Sequence, residues 1–332
     1  MRIAITADPD LPVPPKHYGG IERIIDTLVI GLMANGHDVT LFANAESTTP
    51  CRLEPYQQSN GLLSNLGLVS ARIGRGKFDV VHSFGRLAYL LPLLPLSMPK
   101  LMSYQREITS RSVTWGERLS RGTLHFAGCS NQLIRTFAAR PNWHVVYNGV
   151  PVNTYKFQPT VSSDSALVFL GRVEEIKGPH LAIEVARKAG RKLKIAGNIP
   201  PEHQDFFARH VAPHLRPGEI DYVGPVDDAQ KNELLGNAAA LLMPILWDEP
   251  FGIVMAEAMA CGTPVIGLRR GSVPEVVEHG VDGFVCNSVD EMVACVAQLS
   301  SLNREDCRRA MEEKYSDIAM VAAYEKIYRE LL

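Results

Sequence analysis

The sequence has no paired cysteine spacing, no long hydrophobic run and no excess of either charge, and each absence removes a class of protein. Its six cysteines (Cys51, Cys129, Cys261, Cys286, Cys295 and Cys307) form no C-x-x-C. A chain of 332 residues needs no disulfide staple, so they read as reduced thiols of a cytoplasmic protein. Lys and Arg total 34 against 36 Asp and Glu. That balance offers no broad basic field to a phosphate backbone, and nucleic acid is not expected as a partner. The start, MRIAITADPD, has neither the basic opening nor the apolar core of a signal peptide, and the mature chain is expected to begin there. The most apolar stretch, LAYLLPLLPLSM at 87–98, is too short to span a bilayer and is broken by Pro92 and Pro95. It reads either as a buried segment or as one resting on a membrane surface, which leaves peripheral attachment open. No histidine stands at metal-ligand spacing from another, and there is no internal repeat, low-complexity tract or long charge run.

What is present is an ordinary globular composition, 46% hydrophobic and 21% charged, so the whole chain should fold. Its length exceeds what one core usually holds, and two domains are expected. Short, nearly continuous apolar runs at 2–7, 38–43, 78–83, 124–130 and 143–147 read as buried strands, with amphipathic segments such as GIERIIDTLVIGLMANG at 20–36 between them. The Pro-, Ser- and Thr-containing stretch at 149–165 has no period and suits a connection. A second series of strands follows at 165–171, 192–197, 220–224, 239–244, 263–268 and 282–286. The fold class is therefore α/β, two Rossmann-like doubly wound parallel sheets over 1–155 and 156–312, with a last helix in 313–332 that could cross back to the first domain. Such sheets bind ligands outside the carboxyl ends of their strands, and two of them facing each other enclose a cleft.

The sharpest motif, EPFGIVMAEAMACGTPVI, follows the strand at 239–244 and sets Glu249 and Glu257 eight residues apart. If a helix starts near Gly252, Ile253 and Glu257 are one turn apart, and Glu257 leans back toward the helix start. The N–H groups of Gly252 and Ile253 would favour an anion there. A carboxylate beside a diphosphate is repelled, so each glutamate is better suited to accept from the hydroxyls of a ribose or a hexose. Alternatively, Glu249 is an ordinary loop acid and Glu257 a helix acid paired with a cation. Arg172 and Lys177 follow the strand at 165–171. Cations there would absorb the charge of a leaving diphosphate, unless they form a solvated basic turn balanced by Glu174 and Glu175. Asp8 and Asp10 spell D-x-D, a spacing that can hold a divalent ion, but in this Pro-rich loop they read as turn chemistry or acceptor contact. Gly19 and Gly20 open the first long helix, as a cap or as a place for an anion or sugar to approach.

The run from Glu249 to Glu257, with LGRVEEIKG at 170–178, YNGV at 147–150 and GGIER at 19–23, resembles the retaining glycosyltransferases of GT-B fold in the group-one clan. The resemblance implies an acceptor-binding first domain and a donor-binding second domain. In the second, Glu257 would hold the ribose diol, Glu249 hydroxyls of the transferred sugar, and Arg172 and Lys177 the diphosphate. Phe251, Gly252 and Ile253 would complete the donor site. Gly197 to Ile199, including Asn198, and Gly224 to Val226 would form the base pocket, and Gly19 and Gly20 would meet donor phosphate or acceptor. Many relatives carry a histidine where this chain reads MSYQREI, with Tyr104, Gln105 and Arg106. His82 or His125 could substitute, or serve as structural histidines.

The expected activity is transfer of a hexose with retention, from UDP-glucose first or GDP-mannose second, to a glycan, glycolipid or small-molecule hydroxyl. No metal or other cofactor is expected beyond the UDP-sugar substrate. With Glu257 assigned to the nucleotide, no second carboxylate remains for double displacement, and front-face substitution follows. Two other classes stay open: a non-catalytic sugar-nucleotide sensor, and a Rossmann oxidoreductase, against which stands a first βα turn lacking G-x-G-x-x-G.

Overall fold

Two separate parallel sheets order the chain, and short apolar strands build both. The computed structural model describes residues 1–16, 19–56 and 61–332. It divides into one unit of Met1–Gly149 with Asp317–Leu332 and a second of Val150–Ser316.

The first sheet contains β1 (Arg2–Thr6), β2 (Asp38–Ala43), β3 (Arg52–Pro55), β4 (Val80–Ser83), β5 (Lys100–Tyr104), β6 (Leu124–Gly128) and β7 (Trp143–Val145), in the order β3-β2-β1-β4-β5-β6-β7. Ile3 of β1 is in register with Val39 of β2 on one side and Val80 of β4 on the other. The central strands are apolar on both faces because helices cover both, as a parallel sheet requires. Among those helices are α1 (Gly20–Ala34), α2 (Leu62–Arg75) and α3 (Ser110–Ser120). Two strands escape the sequence pattern. β3, RLEP, is a half-exposed edge strand, and β5 opens on Lys100, whose ammonium is buried and donates to the carbonyls of Leu96 and Met98 and to the Thr123 hydroxyl.

The second sheet contains β8 (Leu167–Leu170), β9 (Leu193–Ala196), β10 (Ile220–Gly224), β11 (Ala240–Met243), β12 (Val265–Leu268) and β13 (Gly283–Cys286), in the order β10-β9-β8-β11-β12-β13. All six coincide with runs read as strands. Their flanking helices include α4 (Pro179–Lys188), α5 (Asp228–Gly236), α6 (Ile253–Ala260), α7 (Val289–Val296) and α8 (Arg304–Lys314). Arg304 is buried, and its guanidinium donates to the carbonyls of Gln158, Gly236 and Ala238 and to the Thr263 hydroxyl, knitting the start of α8 to three loops. Strand order reverses between β8 and β11, so the loops leaving their carboxyl ends diverge and open a crevice at that point.

The chain passes from the first unit to the second between Gly149 and Val150, and most of the stretch at 149–165 belongs to the second unit. Tyr155 is 5% exposed, and the Gln158 N–H donates to the Cys261 carbonyl. The last helix, α9 (Asp317–Leu331), belongs to the first unit's compact body. It lies so close to α1 that a Cβ at Gly31 would fall 2.4 Å from Val321. No helix among the described residues is long and apolar enough to cross a membrane.

Candidate functional site

The loops after β8 and β11 are pressed together by glycine. Gly178 has φ +76°, and a Cβ on it would stand 2.1 Å from the Pro244 carbonyl oxygen. Only glycine permits that approach, and the Leu246 N–H then donates to the Ile176 carbonyl at 2.8 Å. The consequence is chemical. Lys177 Nζ lies 2.5 Å from Glu249 Oε2, the Trp247 indole N–H donates to the same oxygen at 3.1 Å, and the ammonium stands 4.7 Å over the Trp247 ring. From the other side Gly271, φ +53°, presses on Glu249: a Cβ there would lie 2.3 Å from the Glu249 nitrogen. Ser272 N–H donates to the Glu249 carbonyl and Ser272 Oγ to that of Phe251. Lys177 and Trp247 therefore fix the Glu249 carboxylate, and the loop of Gly271 and Ser272 fixes its backbone.

Helix α6 begins at Ile253, with Gly252 in the left-handed region and no side chain capping the first turn. One turn on, Glu257 is 6% exposed, and its Oε1 accepts from the Tyr155 hydroxyl at 2.8 Å and from Lys231 Nζ at 2.6 Å. Burial and the Glu257 carboxylate push the Tyr155 hydroxyl far above its ordinary range, so it remains a donor. Both glutamates use a single oxygen in this way. Among the described residues, Glu249 Oε1 and Glu257 Oε2 receive no hydrogen bond from the protein.

Arg172 departs from the expected arrangement. Its guanidinium lies 2.8 Å from buried Glu174, which also lies 3.3 Å from His203 Nε2, while Lys177 alone of the two cations engages Glu249. The cation at Glu257 is Lys231, on α5. Phe251 also departs: it is 2% exposed, its ring edge-on to Tyr315, so it packs the core and leaves only its backbone for a ligand. Asn198 and the second glycine pair sit at neighbouring strand ends. The Asn198 carbonyl accepts from Val173 N–H, Gly197 N–H donates to Gly224, and Val226 is half-buried just ahead of α5.

In the first unit, Gly19 caps α1 and Glu22 folds back over it. A Cβ on Gly19 would lie 2.9 Å from Glu22 Oε2, whereas among the described residues nothing stands within 4 Å of one on Gly20. Burial raises the Glu22 carboxyl, and a carboxyl at this helix start suits a hydroxyl better than a phosphate. Asp8 is ion-paired with Arg106 at 3.3 Å and Asp10 with Arg86 at 4.0 Å, so both acids of the D-x-D have arginine partners. No group of three or more metal-ligating side chains occurs among the described residues. Where relatives carry a histidine, the Tyr104 ring stacks near Trp143 and Gln105 accepts from Asn148. His82 is held through both ring nitrogens, by Tyr328 at 2.6 Å and Ser103 at 2.7 Å, and burial pushes its imidazole down to about 3. His125 stacks on His144.

Against known proteins, the model of Glycosyltransferase Family 4 matches residues 18–154 and that of Glycosyl transferases group 1 matches residues 153–317. The chain belongs to the group 1 glycosyltransferases. This glycosyltransferase is 23% identical to the Spore coat protein SA of Bacillus subtilis over 95% of its own length and 93% of that protein's. It is 27% identical to the Phosphatidyl-myo-inositol mannosyltransferase of Mycolicibacterium smegmatis over 93% and 86% of the two chains. Its fold is shared with HepE of Anabaena, solved in complex with UDP-glucose, at a TM-score of 0.75, 18% identity and coverage of 99% and 100%. The fold is thus GT-B, built from two Rossmann-like units.

Three residues of the glycosyltransferase's second-unit cluster were not singled out from the sequence: Lys231, Tyr155 and Trp247. Lys231 and Tyr155 come from segments 26 and 102 residues away from Glu257, and no spacing rule links them. Trp247 was within reach, standing two residues before Glu249 in the same loop.

Proposed function

We propose that this enzyme transfers a hexose, glucose foremost, from a UDP-linked donor to a hydroxyl of a glycan or lipid-linked acceptor, with retention, in the cytoplasm and without a metal. The observation that carries the reading is the crevice between β8 and β11. It assembles Lys177, Trp247 and Glu249, an uncapped helix start and a second glutamate with one open oxygen. A diphosphate at the start of α6 meets aligned N–H groups and a nearby ammonium. Glu257 Oε2 is suited to the ribose diol and Glu249 Oε1 to a sugar hydroxyl. As the glycosidic bond breaks, charge gathers on the leaving phosphate, where Lys177 and the helix start stabilise it more than before. Arg172 joins them if it exchanges Glu174 for the diphosphate. The leaving oxygen takes the proton of the incoming hydroxyl on the same face, which keeps the anomeric configuration. That HepE was solved with UDP-glucose supports glucose over mannose, whereas the mannosyltransferase relative favours the reverse.

The deciding measurement compares UDP-glucose with GDP-mannose in a thermal-shift titration, followed by proton spectra of the product. A ligand raises stability as its concentration passes its Kd, so the true donor should shift the melting temperature at lower concentration. UDP-glucose should win, turnover should survive EDTA, and the product should keep the donor's anomeric form. A larger response to GDP-mannose overturns the donor, an inverted product the stereochemistry, and a sugar trapped covalently on Glu249 the front-face route.

A further inference from the structure

Helix α3 carries a face with no role in the chemistry above. Val113, Gly116 and Ser120 point inward, whereas Arg111, Trp115, Arg118 and Leu119 occupy one exposed arc, with Trp115 53% and Leu119 42% exposed. Helical spacing sets Arg111 and Arg118 one turn to either side of Trp115. The helix's acid, Glu117, is turned away from that arc and accepts from Arg140 at 2.6 Å and Asn142 at 3.1 Å.

The apolar segment at 87–98 packs against this helix. A Cβ on Gly116 would lie 3.2 Å from Leu87, so α3 packs directly on the turn Leu87–Leu93, and beside it Leu91 and Leu96 remain 45% and 42% exposed. The segment is two-sided: Leu90, Leu93 and Leu94 fill the core while Leu91 and Leu96 do not. Lys100 holds the exposed part still. Its buried ammonium donates to the carbonyls of Leu96 and Met98, each at 2.7 Å, and to the Thr123 hydroxyl at 2.8 Å, which ties this loop to the turn that follows α3. A buried cation with three acceptors is a rigid anchor, so the outward leucines are presented by a fixed loop.

A tryptophan and a leucine beside two arginines on α3, with two more exposed leucines on the neighbouring turn, give the apolar and cationic composition of an interfacial surface. We propose that this face rests on an anionic phospholipid bilayer. Trp115, Leu119, Leu91 and Leu96 enter the boundary between headgroups and acyl chains, and Arg111 and Arg118 pair with lipid phosphates. A second copy of the chain fits less well, because self-docking would bring four arginines together with no acid on the face to meet them. The proposal does not depend on which sugar is transferred, since it is read by binding and not by turnover.

Co-sedimentation of the full chain with vesicles of phosphatidylglycerol and phosphatidylcholine, and with phosphatidylcholine alone, tests it. The chain should pellet with the mixed vesicles only, its tryptophan emission should shift to the blue, and added salt should weaken binding. Arg118→Glu should lower the partition coefficient at least about fivefold, the effect of one basic residue at such a surface, and Trp115→Ser should lower it and abolish the blue shift. Matched far-UV spectra and melting temperatures control for folding; if Trp115→Ser unfolds, Arg118→Glu and the salt series decide. Failure to pellet with the mixed vesicles, or equal binding by the variants, overturns the proposal. So does a lipid-free dimer that Arg118→Glu or Trp115→Ser abolishes, which would put a second copy on this face.

Discussion

Lys177 and Lys231 each hold one glutamate by one oxygen, and this decides what the carboxylates can do. A carboxylate anchored at Oε2 by an ammonium and an indole cannot rotate freely, so the Oε1 of Glu249 keeps a fixed direction. Glu249→Gln preserves size but replaces a charged acceptor of Lys177 with a neutral amide, which frees the ammonium to sit closer to a diphosphate already in the ground state. Donor affinity should then hold or rise while kcat falls about 10²-fold or more, the scale of losing a positioned group in the transition state. Lys231→Met acts on Glu257 instead. The carboxylate keeps Tyr155 but loses its cation, and the donor KM should rise about tenfold with kcat nearly constant, as expected of a group that positions the nucleotide. Steady-state kinetics of both variants separate the roles. If Lys231→Met lowers kcat and leaves KM alone, Glu257 is not a nucleotide ligand.

At the scale of elements, the loop after β12 bears on Glu249 more tightly than any side chain does. Gly271→Ala would place a methyl 2.3 Å from the Glu249 nitrogen and 2.5 Å from its carbonyl oxygen, in a backbone conformation with φ +53°. Backbone cannot give way as a flexible side chain can, so the loop carrying Trp247 and Glu249 must move. The variant should lose at least about 1–2 kcal/mol of stability and far more activity than that loss explains. Gly20→Ala is the control: no atom of the described residues stands within 4 Å of the added carbon, and stability should stay within about 0.5 kcal/mol of the parent chain. Equal effects on melting temperature from the two variants would refute the account of Gly271. The same contrast explains what the sequence discloses. The six strands of the second sheet were legible because each is a short apolar run between turn signals, and α6 because EPFG marks its start. β5 was missed because its first residue is a lysine whose burial depends on carbonyls at 96 and 98 that only the fold supplies. The Glu174 partner of Arg172 was visible as a neighbouring acid, but which of two carboxylates each cation would choose is a matter of loop geometry. Lys231 and Tyr155 converge on Glu257 from two segments 26 and 102 residues earlier in the chain, and periodicity carries no information about such meetings.

Over the whole molecule, the two units contain buried titratable groups that answer acid in opposite senses. In the first unit His82 joins β4 to α9 through Tyr328, and with Ser103 on its other nitrogen and aromatic rings around it, burial pushes the imidazole down to about 3. Its folded value lies below the ordinary 6.5, so the unfolded chain takes the proton more readily, and stability present above that value is lost as pH falls toward 3. In the second unit burial raises Asp282 from the ordinary 3.8 to about 6, so the folded state takes the proton first, and stability is gained as pH falls through 6. Between pH 7 and pH 5 the first effect removes about 2 kcal/mol from one unit and the second adds about 1 kcal/mol to the other. His82→Gln should flatten the acid dependence of the first unit's unfolding, followed through Trp115 and Trp143, and Asp282→Asn should flatten that of the second, followed through Trp247. Parallel pH slopes for parent and variant would sink either assignment. Because His82 is bonded to Tyr328, the acid-sensitive step is also the one that secures the terminal helix, and α9 should become open to proteolysis at a pH where the second sheet is still intact.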